Sequence, residues 1–144
     1  MDVTRATEFS FYLDNRPGEM AGVLEAAAQA HVELTGLSVA EHLSPNGGPG
    51  RGIVRVVGEP LEVLRHVCES LVDSGHGPVV ESEVLCVNVD ARPGAVREIA
   101  TRFALDKVNV RYAYLTPAVN GYPARYFVRV DDLERAEACV RSLP

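Results

Sequence analysis

One short segment combines the residue types that hold a small zwitterion. Asp14-Asn15-Arg16-Pro17-Gly18 sets two charges, an amide and a glycine just ahead of a helical pattern. An asparagine amide both donates and accepts, so Asn15 suits a ligand carrying both signs of charge. A helix N-terminus offers unpaired N–H groups and a partial positive charge, which suits a carboxylate. Gly18 lets a ligand come close to the backbone. The Pro17-Gly18 pair has a second reading, in which it only shapes a tight turn between strand and helix.

The other chemistry-bearing residues do not converge. His31, His42, His66 and His76 fall on a helix end, a strand end, a helix and a loop, with no i, i+4 pair for a metal. Cys68, Cys86 and Cys139 are an odd number, far apart and without a CxxC pair, so the expectation is buried thiols. No metal and no cofactor is expected. Ser44–Gly52 is glycine-rich but lacks the Gly-Lys-Ser/Thr ending of a phosphate loop and lies between strands, so it reads as a mobile hairpin connection. Tyr112, Tyr114, Tyr122 and Tyr126 crowd the C-terminal half, and Val110, Tyr112 and Tyr114 share one strand face. In an acidic chain that face suits packing or a subunit interface better than base stacking.

The elements that position the loop come from an internal repeat. Asp14-Asn15-Arg16-Pro17-Gly18 returns as Asp90-Ala91-Arg92-Pro93-Gly94, 76 residues later. At that offset Met20, Val23, Ala28, Val32 and Leu34 fall on Val96, Ile99, Ala104, Val108 and Val110. Val54-Arg55-Val56 matches Val128-Arg129-Val130 at an offset of 74, and Leu61-Glu62 matches Leu133-Glu134 at 72. Each slip falls across a loop, where length changes are absorbed. The division is 1–83 and 84–144.

Within the first copy, Phe9, Phe11 and Leu13 alternate on a strand, and Pro17 is placed in the first turn of a helix. Met20, Val23, Leu24, Ala27 and Ala28 form its apolar stripe. Strands follow over Leu34–Leu43 and Ile53–Val57, then a helix with Leu61, Leu64, Val67, Cys68 and Leu71, then a strand from Val79. The order is βαββαβ, the ferredoxin-like split unit, so the class is α+β. The second copy has strands over Val108–Thr116 and Arg125–Val130, with Asn120-Gly121 between them as a hairpin turn. Its last helix, Leu133–Leu143, leaves no residues for a final strand. The second copy is βαββα, with an open edge unless another segment or chain fills it.

Composition bounds the function. The chain has 144 residues, 47% of them hydrophobic and 24% charged, enough for one ordinary domain or two very small ones. A net charge of -6 lacks the basic footprint of a nucleic-acid binder. No run approaches the ~18 apolar residues of a membrane span, and the first residues have no signal-peptide core. The expectation is a cytoplasmic protein with neither nucleic-acid nor membrane partners.

On these residues the chain resembles the ACT domain family. FYLDNRPGEMAGVLEAAAQAHVEL and VNVDARPGAVREIATRFALDKVNV both follow its pattern of strand, Asn-Arg-Pro-Gly-type loop, amphipathic helix and apolar strand. The chain is similar to stand-alone tandem ACT proteins without a catalytic domain. That resemblance implies a non-catalytic regulatory module that binds a small ligand, usually an amino acid, where two side-by-side repeats meet. It implies a metabolic enzyme as the regulated partner. Matched residue by residue, it also implies a split site. The family's loop asparagine is Asn15 in copy one and Ala91 in copy two, and its strand asparagine is Glu33 in copy one and Asn109 in copy two. The implied site is Asp14, Asn15, Arg16, Gly18, Glu19 and Met20 with Asn109. Ala91 and Glu33 would line a poorer crevice. Leu13 stands where a ligand-contacting histidine can occur, which leaves the ligand unidentified.

Two alternatives stand beside this expectation. One is an assembly module that binds nothing small, favoured if side chains close the crevice at Asn15. The other is a small metal-dependent enzyme on the same scaffold, which needs a histidine–carboxylate cluster or a nucleophile beside a base. The open edge of copy two leads to the expectation of a homodimer.

Overall fold

Alternation and helical periodicity build two compact units, Thr7–Ser82 and Met1–Ala6 with Glu83–Pro144. The computed structural model describes residues 1–48 and 50–144, so Pro49 of the glycine-rich connection lies outside the described residues. The elements are β1 (Val3–Asp14), α1 (Glu19–Gln29), β2 (Glu33–His42), β3 (Arg51–Glu59) and α2 (Leu61–Asp73). They continue as β4 (Val79–Val89), α3 (Ala95–Leu105), β5 (Val110–Thr116), β6 (Ala124–Val130) and α4 (Leu133–Arg141). The class is α+β, with the βαββαβ pattern written twice.

In the unit Thr7–Ser82 the strand order is β2-β3-β1-β4. Phe9 pairs with Val56 and Phe11 with Val54 in antiparallel register. The Tyr12 N–H donates to Pro78 O at 2.9 Å, where β4 begins. One face of β1 turns Phe9, Phe11 and Leu13 into a core with Val23, Ala27, Leu64, Cys68 and Leu71 from the two helices. Burying each of those Phe rings contributes about 1.5–3 kcal/mol. The other face carries the fully buried Glu8, whose Oε1 lies 4.0 Å from Arg55 Nε.

The second unit repeats the design. Leu85 pairs with Val128 and Val87 with Tyr126 across β4 and β6, and β5 pairs with β6 from Val110 to Thr116. Leu85, Val87, Ile99, Phe103, Val128 and Val140 fill its core. Asn120 and Gly121 take the positive φ values (50° and 82°) of the expected hairpin turn, and Val119 and Tyr122 exchange hydrogen bonds across it. No strand follows α4. Its place beside β4 is taken by the chain's own first residues, which precede the strand expected from the alternation of Phe9, Phe11 and Leu13. Val3 lies in this core, 6% exposed. The Asn88 N–H donates to Asp2 O at 2.9 Å, and the Met1 ammonium donates to Val140 O at 3.4 Å and to Leu143 O. The edge that copy two leaves open in sequence is thus filled by another segment of the same chain.

Candidate functional site

The loop between β1 and α1 has a defined backbone. The Arg16 N–H donates to Asp14 O at 2.9 Å, and the Gly22 N–H to Gly18 O at 3.0 Å. Gly18 caps the helix with φ +94°, and no side chain caps it. Helix α1 therefore opens at Glu19, and Pro17 stands ahead of the cap rather than in the first turn, because the left-handed Gly18 intervenes. No atom lies within 4 Å of a Cβ built on Gly18, so backbone conformation, not crowding, asks for glycine here.

The second loop has the same geometry. The Arg92 N–H donates to Asp90 O at 2.8 Å, the Glu98 N–H donates to Gly94 O at 3.0 Å, and Gly94 has φ +85°. The helix ends also match, since His31 and Lys107 share φ 58°. The side chains have diverged. Arg16 Nε donates to Glu19 Oε1 at 2.9 Å, whereas Arg92 grips Glu98 through both terminal nitrogens, at 2.9 and 2.8 Å. Ala95 occupies the position of Glu19, so Arg92 reaches a turn further.

A polar cleft of about 300 Å³ opens beside the first loop. Asp14, Arg16 and Glu19 line it, together with Leu13, Arg51 and Ser74–Gly77. The end of β1, the start of β3 and the α2–β4 connection meet there, because β3 and β4 both run antiparallel to β1. Arg16 Nη2 lies 3.6 Å from Asp14 Oδ2, and His76 Nδ1 lies 3.4 Å from Glu19 Oε2. The hydrogen bond from Arg16 holds the Glu19 carboxyl below its ordinary range, with His76 adding to the effect. Arg51 Nη2 donates to Tyr12 O and, at 3.2 Å, to Gly77 O.

The expected residues are therefore distributed unevenly. Asp14, Arg16 and Glu19 are brought together at the cleft, while Asn15, Gly18 and Met20 do not line it. Asn15 is exposed, and Met20 is 41% exposed. Asn109 is exposed just ahead of β5, its N–H bonded to Asp131 Oδ1 at 3.0 Å and its carbonyl accepting from the Asp131 N–H at 3.1 Å. Those two bonds occupy its backbone and do not involve its side-chain amide. Sequence reasoning missed Arg51 and His76.

A second opening, of about 290 Å³, runs between α2 and β4 and is lined by Phe9, Cys68, Val72 and Val79, with Arg65 and Glu81 at its rim. Burial pushes the Cys68 thiol up to about 12, which keeps it protonated and unreactive. Among the described residues no cluster of three histidine, cysteine or carboxylate side chains is placed to hold a metal. Among the described residues no helix is long and apolar enough to cross a membrane.

Comparison with solved structures supplies the fold. Protein BT0572 from Bacteroides thetaiotaomicron is similar with a TM-score of 0.78 and 20% identity, over 96% of this chain and 88% of that one. The regulatory subunit of aspartate kinase from Thermus thermophilus is similar with a TM-score of 0.63 and 15% identity, over 98% and 93%. That from Thermus flavus gives 0.57 and 13%, over 97% and 92%. The chain has the fold of these regulatory subunits. The resemblance to tandem ACT proteins holds over nearly the whole chain at that level. No protein-family model and no curated protein matches the sequence.

Proposed function

We propose that this chain is a non-catalytic, cytoplasmic regulatory module that binds an amino acid at the β1–α1 loop. Asp14, Asn15, Arg16, Gly18, Glu19 and Met20 are its loop residues, and Asn109 is the second asparagine of the same ligand, as the resemblance implies. The observation that carries the reading is the uncapped opening of α1 behind a left-handed glycine, in a loop conformation that the chain builds twice. The free N–H groups of such a terminus favour a carboxylate. The exposed amide of Asn15 can donate to that carboxylate or accept from an ammonium. Two similar folds are regulatory subunits of aspartate kinase by name, which supports a regulatory role by analogy of fold. The ligand would in turn act on a metabolic enzyme.

Edge strand β2 supports self-association into a homodimer, since it exposes Leu37 (42%) and Val39 (53%) on one face. A thermal-shift screen of the common amino acids tests the ligand reading. A ligand bound only by the folded state raises the melting temperature. A screen with no stabilising amino acid would leave an assembly module as the better reading.

A further inference from the structure

We propose that the cleft at the end of β1 is a binding site for a small monocarboxylate, anchored by Arg51 rather than by Asn15, with Asp14, Arg16 and Glu19 of the loop as part of its wall. The charges on its walls are unevenly matched. Arg16 is paired with Asp14 at 3.6 Å and Glu19 at 2.9 Å, and His76 faces Glu19 at 3.4 Å. Arg51 also lines the cleft, yet no described carboxylate forms an ion pair with it. Among the described residues its hydrogen bonds are made by Nη2 alone, to the carbonyls of Tyr12 and Gly77. A guanidinium has five N–H donors, so those on Nε and Nη1 remain for a ligand.

Those two carbonyl contacts fix the guanidinium in position before any ligand arrives. That reduces the ordering a ligand must supply. A carboxylate at this point gains a charge-assisted hydrogen bond. Arg16 and Arg51 only balance Asp14 and Glu19, so the walls hold no surplus positive charge for a dianion, and one carboxylate on Arg51 is the anion they accommodate. A phosphate dianion would instead face Asp14 and Glu19 across an opening of about 300 Å³. That volume holds an acid of a few carbons. The carboxylate has two sources, a simple organic acid or the α-carboxylate of an amino acid. For the second, the exposed Asp14 carboxylate is placed to receive the ammonium.

The test is a nuclear magnetic resonance titration of the full chain with propionate, L-alanine and inorganic phosphate as probes. The expected result is a saturable shift of the Gly75–Gly77 amides and the Arg51 Nε–H. Saturation by propionate identifies a simple carboxylate site, and saturation by L-alanine alone identifies a zwitterion site that uses Asp14. Both support the proposal. Arg51→Gln should weaken the bound probe by about tenfold or more, and Arg51→Lys by less. The wild-type shift map stands even if Arg51→Gln folds poorly. Neither organic probe saturating at these amides overturns the proposal. So does phosphate binding more tightly than propionate, or an Arg51→Lys and Arg51→Gln pair that binds as the wild type does. The amino-acid reading fails on Asn15→Ala and Asn109→Ala instead, so the two failures are distinguishable.

Discussion

His76 Nδ1 lies 3.4 Å from Glu19 Oε2, which ties the α2–β4 connection to the first turn of α1. The same carboxylate accepts from Arg16 Nε at 2.9 Å. Glu19 thus joins a residue of the loop and a residue 57 positions further on, and the cleft wall depends on its charge.

The first prediction concerns pH. The Arg16 hydrogen bond, with His76, holds the Glu19 carboxyl below its ordinary range in the folded chain. The unfolded chain then binds more protons than the folded one between the two values, so stability rises with pH across that window. This contribution is fully present above the ordinary glutamate range and is lost as pH falls through the lowered value. Glu19→Gln should flatten that part of the profile. Melting temperatures of both proteins from pH 7 downward check it. Curves that stay parallel below the glutamate range would show that Glu19 contributes nothing.

Two glycines should fail for different reasons. At Gly58 an added Cβ would lie 2.9 Å from Glu33 O, 2.9 Å from Val32 Cγ1 and 3.2 Å from Leu64 Cδ2. Gly58→Ala forces a neighbouring strand and a packed core to move, at a cost of about 1–3 kcal/mol. Gly18 meets nothing within 4 Å but has φ +94°. Gly18→Ala should cost about 1–2 kcal/mol through backbone strain alone, and Gly18→Asn less. Urea denaturation of the three variants measures this. Equal losses for Ala and Asn at position 18 would refute the conformational explanation.

The repeat and its helices were legible because apolar residues recur at two spacings, but the two copies read as seven strands and the described residues form six, since the last strand of copy one and the first of copy two are one continuous β4, Val79–Val89. Phe9, Phe11 and Leu13 announce β1, and the 76-residue offset carries its loop to Asp90–Gly94. The first residues of β1 were not legible, because Arg5 and Thr7 stand where the alternation calls for apolar residues. Arg5 finds Glu137 at 2.6 Å and Glu8 faces Arg55. Pairs between residues so distant in the chain leave no local pattern. The cleft was hidden for a similar reason. Asp14 ends β1, Arg51 begins β3 and His76 lies in the α2–β4 connection, and only antiparallel pairing gathers them at one end. Of the candidate site, the Asp14–Met20 loop could be read from its residue types, while Asn109 came from resemblance alone.

The N-terminal segment gives a third prediction. Val3 is buried in the core of the unit that holds Glu83–Pro144, and Asp2 O accepts from the Asn88 N–H. Val3→Ala removes two methyl-sized groups, about 1.5 kcal/mol at ~0.8 kcal/mol each. Deleting residues 1–6 should strip protection from the Asn88 amide and lower the stability of that unit. Hydrogen exchange reads both effects. An Asn88 amide that stays protected in the deletion would mean that something else covers the edge.

The last prediction addresses the two asparagines. Losing one hydrogen-bonding partner of a charged ligand group costs roughly 1.5–3 kcal/mol, which is about ten- to a hundredfold in affinity. Asn15→Ala and Asn109→Ala should each weaken the stabilising amino acid by that order. Substitutions at Ala91 and Glu33, their counterparts in the repeat, should do much less. Both asparagines are exposed, so neither variant removes buried packing. The backbone bonds between Asn109 and Asp131 do not involve the side chain that is lost. A change in affinity therefore reports on the ligand and not on folding. Calorimetric titration of the single variants and the double variant separates the outcomes. If the two effects are non-additive, both residues act on one ligand, as coupled contacts do. If Asn15→Ala alone weakens binding, the loop is the site and Asn109 lies outside it. If both bind like the parent, the Asp14–Met20 segment is only a turn.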